Sequence, residues 1–295
     1  MNDFTILILV ILLLYIFYSL TPKMKPCDSL KLVDKKKLLC HIAYYESDKR
    51  VDSKNGIDKG SCAWKKHVFD GVQKTINEIN KFTAFETIDV VIDVNSENKW
   101  VDKLTGACIK RYSFENEHPF LLTTKHRENI ARNIDKYDYF MYIEDDTFVP
   151  NETMNCIVAN TQEAWNRNKV LTLARMVTPL NIEDKKKIFY SDIVKSFVKE
   201  KRPKLRAVVP TSRFSASWVY SASIVKEWMK HPSFKDFSGA LRDGGIRVDM
   251  GIGFKEKEAI VPVDAKEKPL TICFHLGYCG KYYFKHPYGF HTLPL

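Results

Sequence analysis

The sequence predicts an α/β domain, a mixed sheet flanked by helices, behind one N-terminal transmembrane helix. Three observations predict it. Short apolar runs that suit buried strands alternate with segments of helical spacing. One of those runs, Tyr139-Phe140-Met141-Tyr142-Ile143, stops abruptly in three carboxylates, Glu144, Asp145 and Asp146. Residues 4–20 are almost wholly apolar, with no polar face.

That apolar stretch sits near the lower limit for a spanning helix, about 17 residues. A cleaved signal peptide starts with basic residues and ends at a small-residue cleavage site. This chain starts Met1-Asn2-Asp3, and no Ala-x-Ala follows. The reading is an uncleaved anchor over residues 1–21, a short polar stem over 22–35 and one domain over 36–295. Lys23, Lys25 and Lys31 follow the span and Asp3 precedes it. By the positive-inside rule that charge bias keeps the domain cytosolic.

The elements follow in order. Residues 37–45 read as the first strand, and the polar stretch 46–61, with Gly56 and Gly60, as a loop. Val68, Val72, Ile76 and Ile79 predict a helix over 64–82. A second strand over 87–94 carries Asp93 near its end. Residues 119–123 suggest a short third strand. Residues 124–134 suggest a helix with Thr124 as N-cap, feeding into the acidic strand. Pro150 and Asn151 stop that strand. A helix around 163–165 and a strand over 170–177 come next. The charged segment 181–205 reads as a solvated helix or a loop. Small residues alternate with aromatics over 212–223, a strand or loop, and Ser221 or Ser223 caps a helix over 224–230. Residues 243–254 are glycine-rich and carry Asp243 and Asp249. Residues 270–277 form a last strand ending near His275.

Composition narrows the class. A chain of 295 residues, 45% hydrophobic, supports one sizeable domain. The net charge of +10 is spread along the chain without a nucleic-acid-binding motif, which argues for a generally basic surface and no nucleic-acid partner. The seven cysteines are irregularly spaced, neither a disulfide framework nor a zinc pattern. Cys273 and Cys279 could pair in an oxidising compartment. Asn151-Glu152-Thr153 is a formal glycosylation sequon, read as lying too close to the acidic triplet to be used.

The carboxylates carry the chemistry. In open α/β sheets, ligands bind outside the carboxyl ends of the strands. Three adjacent carboxylates repel one another, and a divalent cation relieves that repulsion. Carboxylate oxygens suit Mg²⁺ or Mn²⁺, which in turn hold phosphate oxygens.

The run Tyr142-Ile143-Glu144-Asp145-Asp146 resembles the Asp-x-Asp motif of GT-A glycosyltransferases. It is most similar to the Glu-Asp-Asp form of some Golgi N-acetylglucosaminyltransferases. The match covers roughly 15 residues, and the order of elements from 37 to 280 fits the family more loosely. The resemblance implies a GT-A-like fold and a metal-dependent transfer of a sugar from a nucleotide diphosphate sugar to a glycan, glycoprotein or glycolipid acceptor. It implies that Asp146 binds Mn²⁺ (or Mg²⁺), with His275 completing the shell and His41 and His291 as alternatives. It implies that Glu144 and Asp145 meet the donor and that Tyr44 or Tyr45 stacks on its base. Asp93 would bond a ribose or base edge, and Lys125, Arg127, Arg132 and Asn133 would meet the diphosphate or base. Asp249, or Asp243, would supply the catalytic carboxylate of an inverting enzyme, although Val248 stands where the family has Glu. It also implies a Golgi-lumenal domain, opposite to the charge bias. Two other classes stay open: a nucleotidyltransferase on a similar sheet, unsupported by any Gly-rich loop after the first strand, and a non-catalytic membrane-tethered binding protein.

Overall fold

The computed structural model describes residues 36–45, 62–95, 99–114, 121–177, 189–190, 198–199, 207–209, 217–235, 257–262 and 271–275. The anchor and stem (1–35), the first loop (46–61), the 243–254 segment with Asp243 and Asp249, and the tail with His291 lie outside them. Among the described residues no helix is long and apolar enough to cross a membrane.

A five-stranded sheet forms the centre. Its strands are β1 (Lys36–Tyr44), β2 (Phe85–Asn95), β3 (Cys108–Tyr112), β4 (Tyr139–Glu144) and, later in the chain, Ser217–Ser221. In space the order runs from Ser217–Ser221 through β4, β1 and β2 to β3. β1 to β4 are parallel, and Ser217–Ser221 pairs antiparallel with β4. Helix α1 (Cys62–Ile79) links β1 to β2, and α2 (Leu122–Arg132) precedes β4. The chain steps outward from β1 to β3 and then returns to β4 on the other side of β1. Right-handed crossovers in opposite directions put their helices on opposite faces. The topological switch point therefore falls between β1 and β4.

Strand period places the side chains. Leu38, Cys40, Ile42 and Tyr44 face α1 and helix α3 (Asn151–Asn166), packing with Val72, Ile76, Ile79, Met154 and Ile157. Leu39 and Ala43 face α2 and helix α4 (Ala222–Lys230), with Ile130, Trp218, Ile224 and Trp228. A strand buried on both faces reads as a near-continuous apolar run, which is why β1 and β4 were legible. The third strand was not. It is Cys-Ile-Lys-Arg-Tyr, an outer strand paired on one side, and its charged residues hide it. The residues expected there, Leu122 and Thr123, belong to α2. Thr124 is inside that helix, and its hydroxyl donates back to the Leu121 carbonyl (2.8 Å) instead of capping. Ser221 does occupy the N-cap position of α4, but its hydroxyl meets Ser223 Oγ at 2.9 Å.

The run 170–177 splits. β6 (Lys169–Leu171) and β7 (Ala174–Val177) enter two separate four-stranded sheets; β9 (Val198–Lys199) and β10 (Ala207–Val209) belong to the first, β5 (Thr147–Phe148) and β8 (Phe189–Tyr190) to the second, and Ser217–Ser221 of the central sheet is β11. β6 pairs with β12 (Glu258–Pro262) and β7 with β13 (Ile272–His275). Thr172 N–H donates to Ile260 O and Ala174 N–H to Thr271 O, so the two strands diverge there. The sequon is not at the acidic edge. Asn151 Oδ1 accepts from Thr83 N (2.8 Å) and Oγ1 (3.2 Å), in the turn entering β2 at the opposite edge.

Gly106, just before β3, has φ +79°. A Cβ there would stand 2.9 Å from Asn80 Nδ2, which itself donates to Gly106 O at 3.0 Å. Gly106→Ala is expected to lose about 1–2 kcal/mol of stability from the left-handed backbone alone. The shift of the urea-unfolding midpoint measures it.

Candidate functional site at the carboxyl edge of the central sheet

The edge is built by register. Ala43 of β1 pairs with Glu144 of β4 and with Asp93 of β2, which pairs with Lys110 of β3. These four form one row at the carboxyl end of the sheet. Two positions back on the same face lies the row Trp218, Tyr142, His41, Val91 and Cys108. Asp145 N–H donates to Ala43 O (3.0 Å), so the ladder between β4 and β1 runs on past Glu144 to the second residue of the acidic triplet.

Glu144, Asp145 and Asp146 are half-buried, within reach of solvent yet fixed to the sheet. Asp146 Oδ1 accepts from Thr147 Oγ1 at 3.4 Å. Thr147 starts β5 (Thr147–Phe148), which pairs antiparallel with β13. His275 is the register partner of Thr147. The backbone thus brings the expected C-terminal histidine to within one position of Asp146.

Among the described residues no three His, Cys, Asp or Glu side chains converge on one point. The donor set fits a different arrangement. Mg²⁺-like cations are commonly bound by one or two carboxylates plus substrate phosphates, without a full protein cage. Two neighbouring aspartates on a strand-end turn are such a set.

The other expected ligand residues are placed as follows. Tyr44 is in the core beneath α1 and cannot stack on a base, whereas Tyr45 is half-buried at the edge. Asp93 is fully buried. Its Oδ2 accepts from His41 Nδ1 (2.6 Å) and its Oδ1 from Tyr112 Oη (3.1 Å), so both oxygens already have partners. His41 was a possible metal ligand, but its Nε2 meets Asn129 Nδ2 at 2.9 Å, leaving neither ring nitrogen available. Arg127 is buried too. Its guanidinium lies 4.8 Å from the Trp228 ring and donates to Phe234 O (3.3 Å), a packing role rather than a phosphate contact. Arg132 is exposed and pairs with Glu128, whose carboxyl it holds below its ordinary value. Asn133 donates to Asn129. Lys125 is half-buried, with Nζ 5.6 Å from the Phe114 ring. Cys273, which could pair with Cys279 in an oxidising compartment, lies in the core with Sγ 3.7 Å from Ser217 Oγ, and Cys279 lies outside the described residues.

Sequence reasoning overlooked the buried polar layer behind the edge. His126 of α2 stacks on Tyr142 (4.4 Å, 27°), and lies 5.9 Å from His41 and 5.7 Å from Trp218. The signal was present: His41 and Asp93 stand inside otherwise apolar strands, and a buried polar group needs a partner.

Burial, then the charge of Arg127 and the proximity of His41, hold the His126 imidazole well below its ordinary value of 6.5; the Thr123 backbone hydrogen bond opposes them more weakly. His126 is therefore neutral in the fold and takes up a proton only on unfolding, as pH falls through about 6.5. Its contribution is fully present above that pH and lost below it. The thermal midpoint is expected to fall as pH drops from 7 to 5, and His126→Phe is expected to flatten that slope.

Fold and edge together define a doubly wound α/β domain with an acidic carboxyl edge at its switch point. No protein-family profile matches the chain, and no curated protein matches it in sequence. Among solved structures, a crystal structure of 4-diphosphocytidyl-2C-methyl-D-erythritol synthase aligns with it at 12% identity. The alignment covers 81% of this chain and 93% of that one, with a TM-score of 0.34. At that identity and score the likeness carries nothing about chemistry.

Proposed function

We propose that the chain is a metal-dependent glycosyltransferase of GT-A type, moving a sugar from a nucleotide diphosphate sugar to an acceptor hydroxyl. One observation carries this reading: Glu144-Asp145-Asp146 stands at the carboxyl end of β4, beside β1, at the topological switch point. Asp146 and Asp145 would hold Mn²⁺ or Mg²⁺, with His275 one register position away. When bound, the cation offsets charge on the departing diphosphate. The bond from the anomeric carbon to the diphosphate oxygen breaks, and its electron pair leaves with the nucleoside diphosphate. The acceptor oxygen forms the new bond, and its proton passes to a carboxylate, Asp249 or Asp243. Tyr45 and Lys125 are the remaining candidates for the base and diphosphate. Residues 1–21 would anchor the domain in the membrane, facing the Golgi lumen.

A panel of nucleotide sugars with Mn²⁺ tests the reading, scored for free nucleoside diphosphate. Release of pyrophosphate from a nucleoside triphosphate would instead make the chain a nucleotidyltransferase. With an active donor found, Asp249→Asn is expected to keep donor affinity and to lose turnover by roughly a hundredfold or more. That pattern in Asp243→Asn would move the base there.

A further inference from the structure

Five polar side chains form one directional chain behind the acidic edge. Asn133 Nδ2 lies 2.8 Å from the Asn129 carbonyl oxygen, which can only accept, so the Asn133 amide has one orientation. The same nitrogen lies 3.1 Å from Asn129 Oδ1. Asn129 therefore turns its oxygen to Asn133 and its NH₂ to His41. His41 Nε2, 2.9 Å away, must accept. The imidazole proton then sits on Nδ1 and is donated to Asp93 Oδ2 at 2.6 Å. Tyr112 donates to the other oxygen of the same carboxylate. The chain joins α2, β1, β2 and β3, and His41 and Asp93 at its centre are both 0% exposed.

We propose that His41 is a positioning residue: as the neutral Nδ1–H tautomer it ties α2 to the carboxyl end of β2 and sets the row that runs from Asp93 through Ala43 to Glu144. This rests on the reading of that edge as the donor site. Among the described residues, the groups on and next to His41 are compatible with a neutral ring. β2 offers the Asp93 carboxylate, β3 the Tyr112 phenol, β4 the Tyr142 ring, and α2 offers Asn129 and His126. Arg127 of α2 adds a positive charge beside His126. Tyr112 keeps its proton, since burial and the Asp93 carboxylate push its phenol up. The row ends at Glu144, roughly 10 Å from Asp93 across two strand spacings, so a loosened α2 displaces the edge that a ligand would meet.

Two measurements on the full chain test this. Nitrogen-15 shifts of the His41 imidazole at pH 7 are expected to show a protonated Nδ1 and a bare Nε2. In Asn133→Ala, which frees the Asn129 amide to turn, the Nε2–H form is expected to appear. An Nε2–H tautomer or an imidazolium in the wild type overturns the proposal. The second measurement is the affinity for Mn²⁺ with uridine or guanosine diphosphate. Asn129→Leu breaks the tie to α2 and leaves the His41–Asp93 bond. His41→Asn keeps a donor for Asp93 and no longer reaches Asn129. Outer hydrogen-bond partners of metal ligands are typically worth roughly 10–100-fold in affinity. His41 and Asn129 act one step further out, through Asp93 and the strand row, so both variants are expected to lose up to roughly tenfold at temperatures where circular dichroism shows them fully folded. Unchanged affinity in a folded Asn129→Leu overturns the positioning role. If the wild type binds no nucleoside diphosphate, the donor-site reading falls and the positioning role with it, while the imidazole shifts still decide the lock itself.

Discussion

Asp146→Asn is expected to abolish transfer while leaving the fold intact. The side chain is half-buried on the turn between β4 and β5, outside the packed core. Among its contacts within the protein, Oδ1 accepts from Thr147 Oγ1, and an asparagine oxygen serves equally there. The substitution removes one negative charge from a run of three carboxylates, so it relieves repulsion among them. What it loses is the hard anionic oxygen that suits a divalent cation. Lewis-acid charge stabilisation is worth several kcal/mol, and about 1.4 kcal/mol is tenfold in rate. The loss is therefore expected to exceed roughly a hundredfold. Steady-state release of nucleoside diphosphate with Mn²⁺ measures it, alongside an unfolding curve for the variant. Full activity in Asp146→Asn would remove Asp146 from the site.

The largest effect on stability is expected at Trp228. This residue of α4 is 2% exposed and closes the α2 and α4 face of the sheet. It meets Trp218 edge-on at 5.4 Å and Phe234 edge-on at 5.1 Å. The buried Arg127 guanidinium lies 4.8 Å from its ring centre. Trp228→Ala would leave a cavity, break two aromatic contacts and withdraw a ring that faces a buried cation. Truncating a buried aromatic to alanine typically costs about 3–5 kcal/mol, a large part of the roughly 5–15 kcal/mol that holds a domain folded. Trp228→Phe keeps an aromatic face toward Arg127 and is expected to lose much less. Denaturant unfolding of the two variants measures the difference, and equal losses would show that the ring face is not what stabilises Arg127.

The parts of the fold that were legible in the sequence share one property. β1, β2 and β4 are buried on both faces at their carboxyl halves, so apolar residues run through them without a break. β3 escaped because an outer strand tolerates Lys110 and Arg111. The break at Thr172–Leu173 escaped because nothing local marks a change of sheet; long-range partners, Ile260 and Thr271, decide it. The same division holds at the edge. The acidic triplet stands where a strand-end reading puts it, since the end of an apolar run is local information. The basic and aromatic residues read as ligands went elsewhere, because helical spacing does not say which face is buried. Arg127 turned inward to Trp228 and Arg132 outward to Glu128, five residues apart on one helix. Asp93 and His41 found each other through register between neighbouring strands.

The central claim is that the carboxyl edge beside β1 and β4 is where a metal and a nucleotide meet this protein. Anomalous diffraction from crystals grown with Mn²⁺ and a nucleoside diphosphate tests it most directly. The account predicts a manganese peak in coordination contact with the Asp146 carboxylate, with the diphosphate on its far side and the base toward Tyr45. A manganese–nucleotide complex seated away from that edge, or on it without contact to Asp145 or Asp146, would contradict the account.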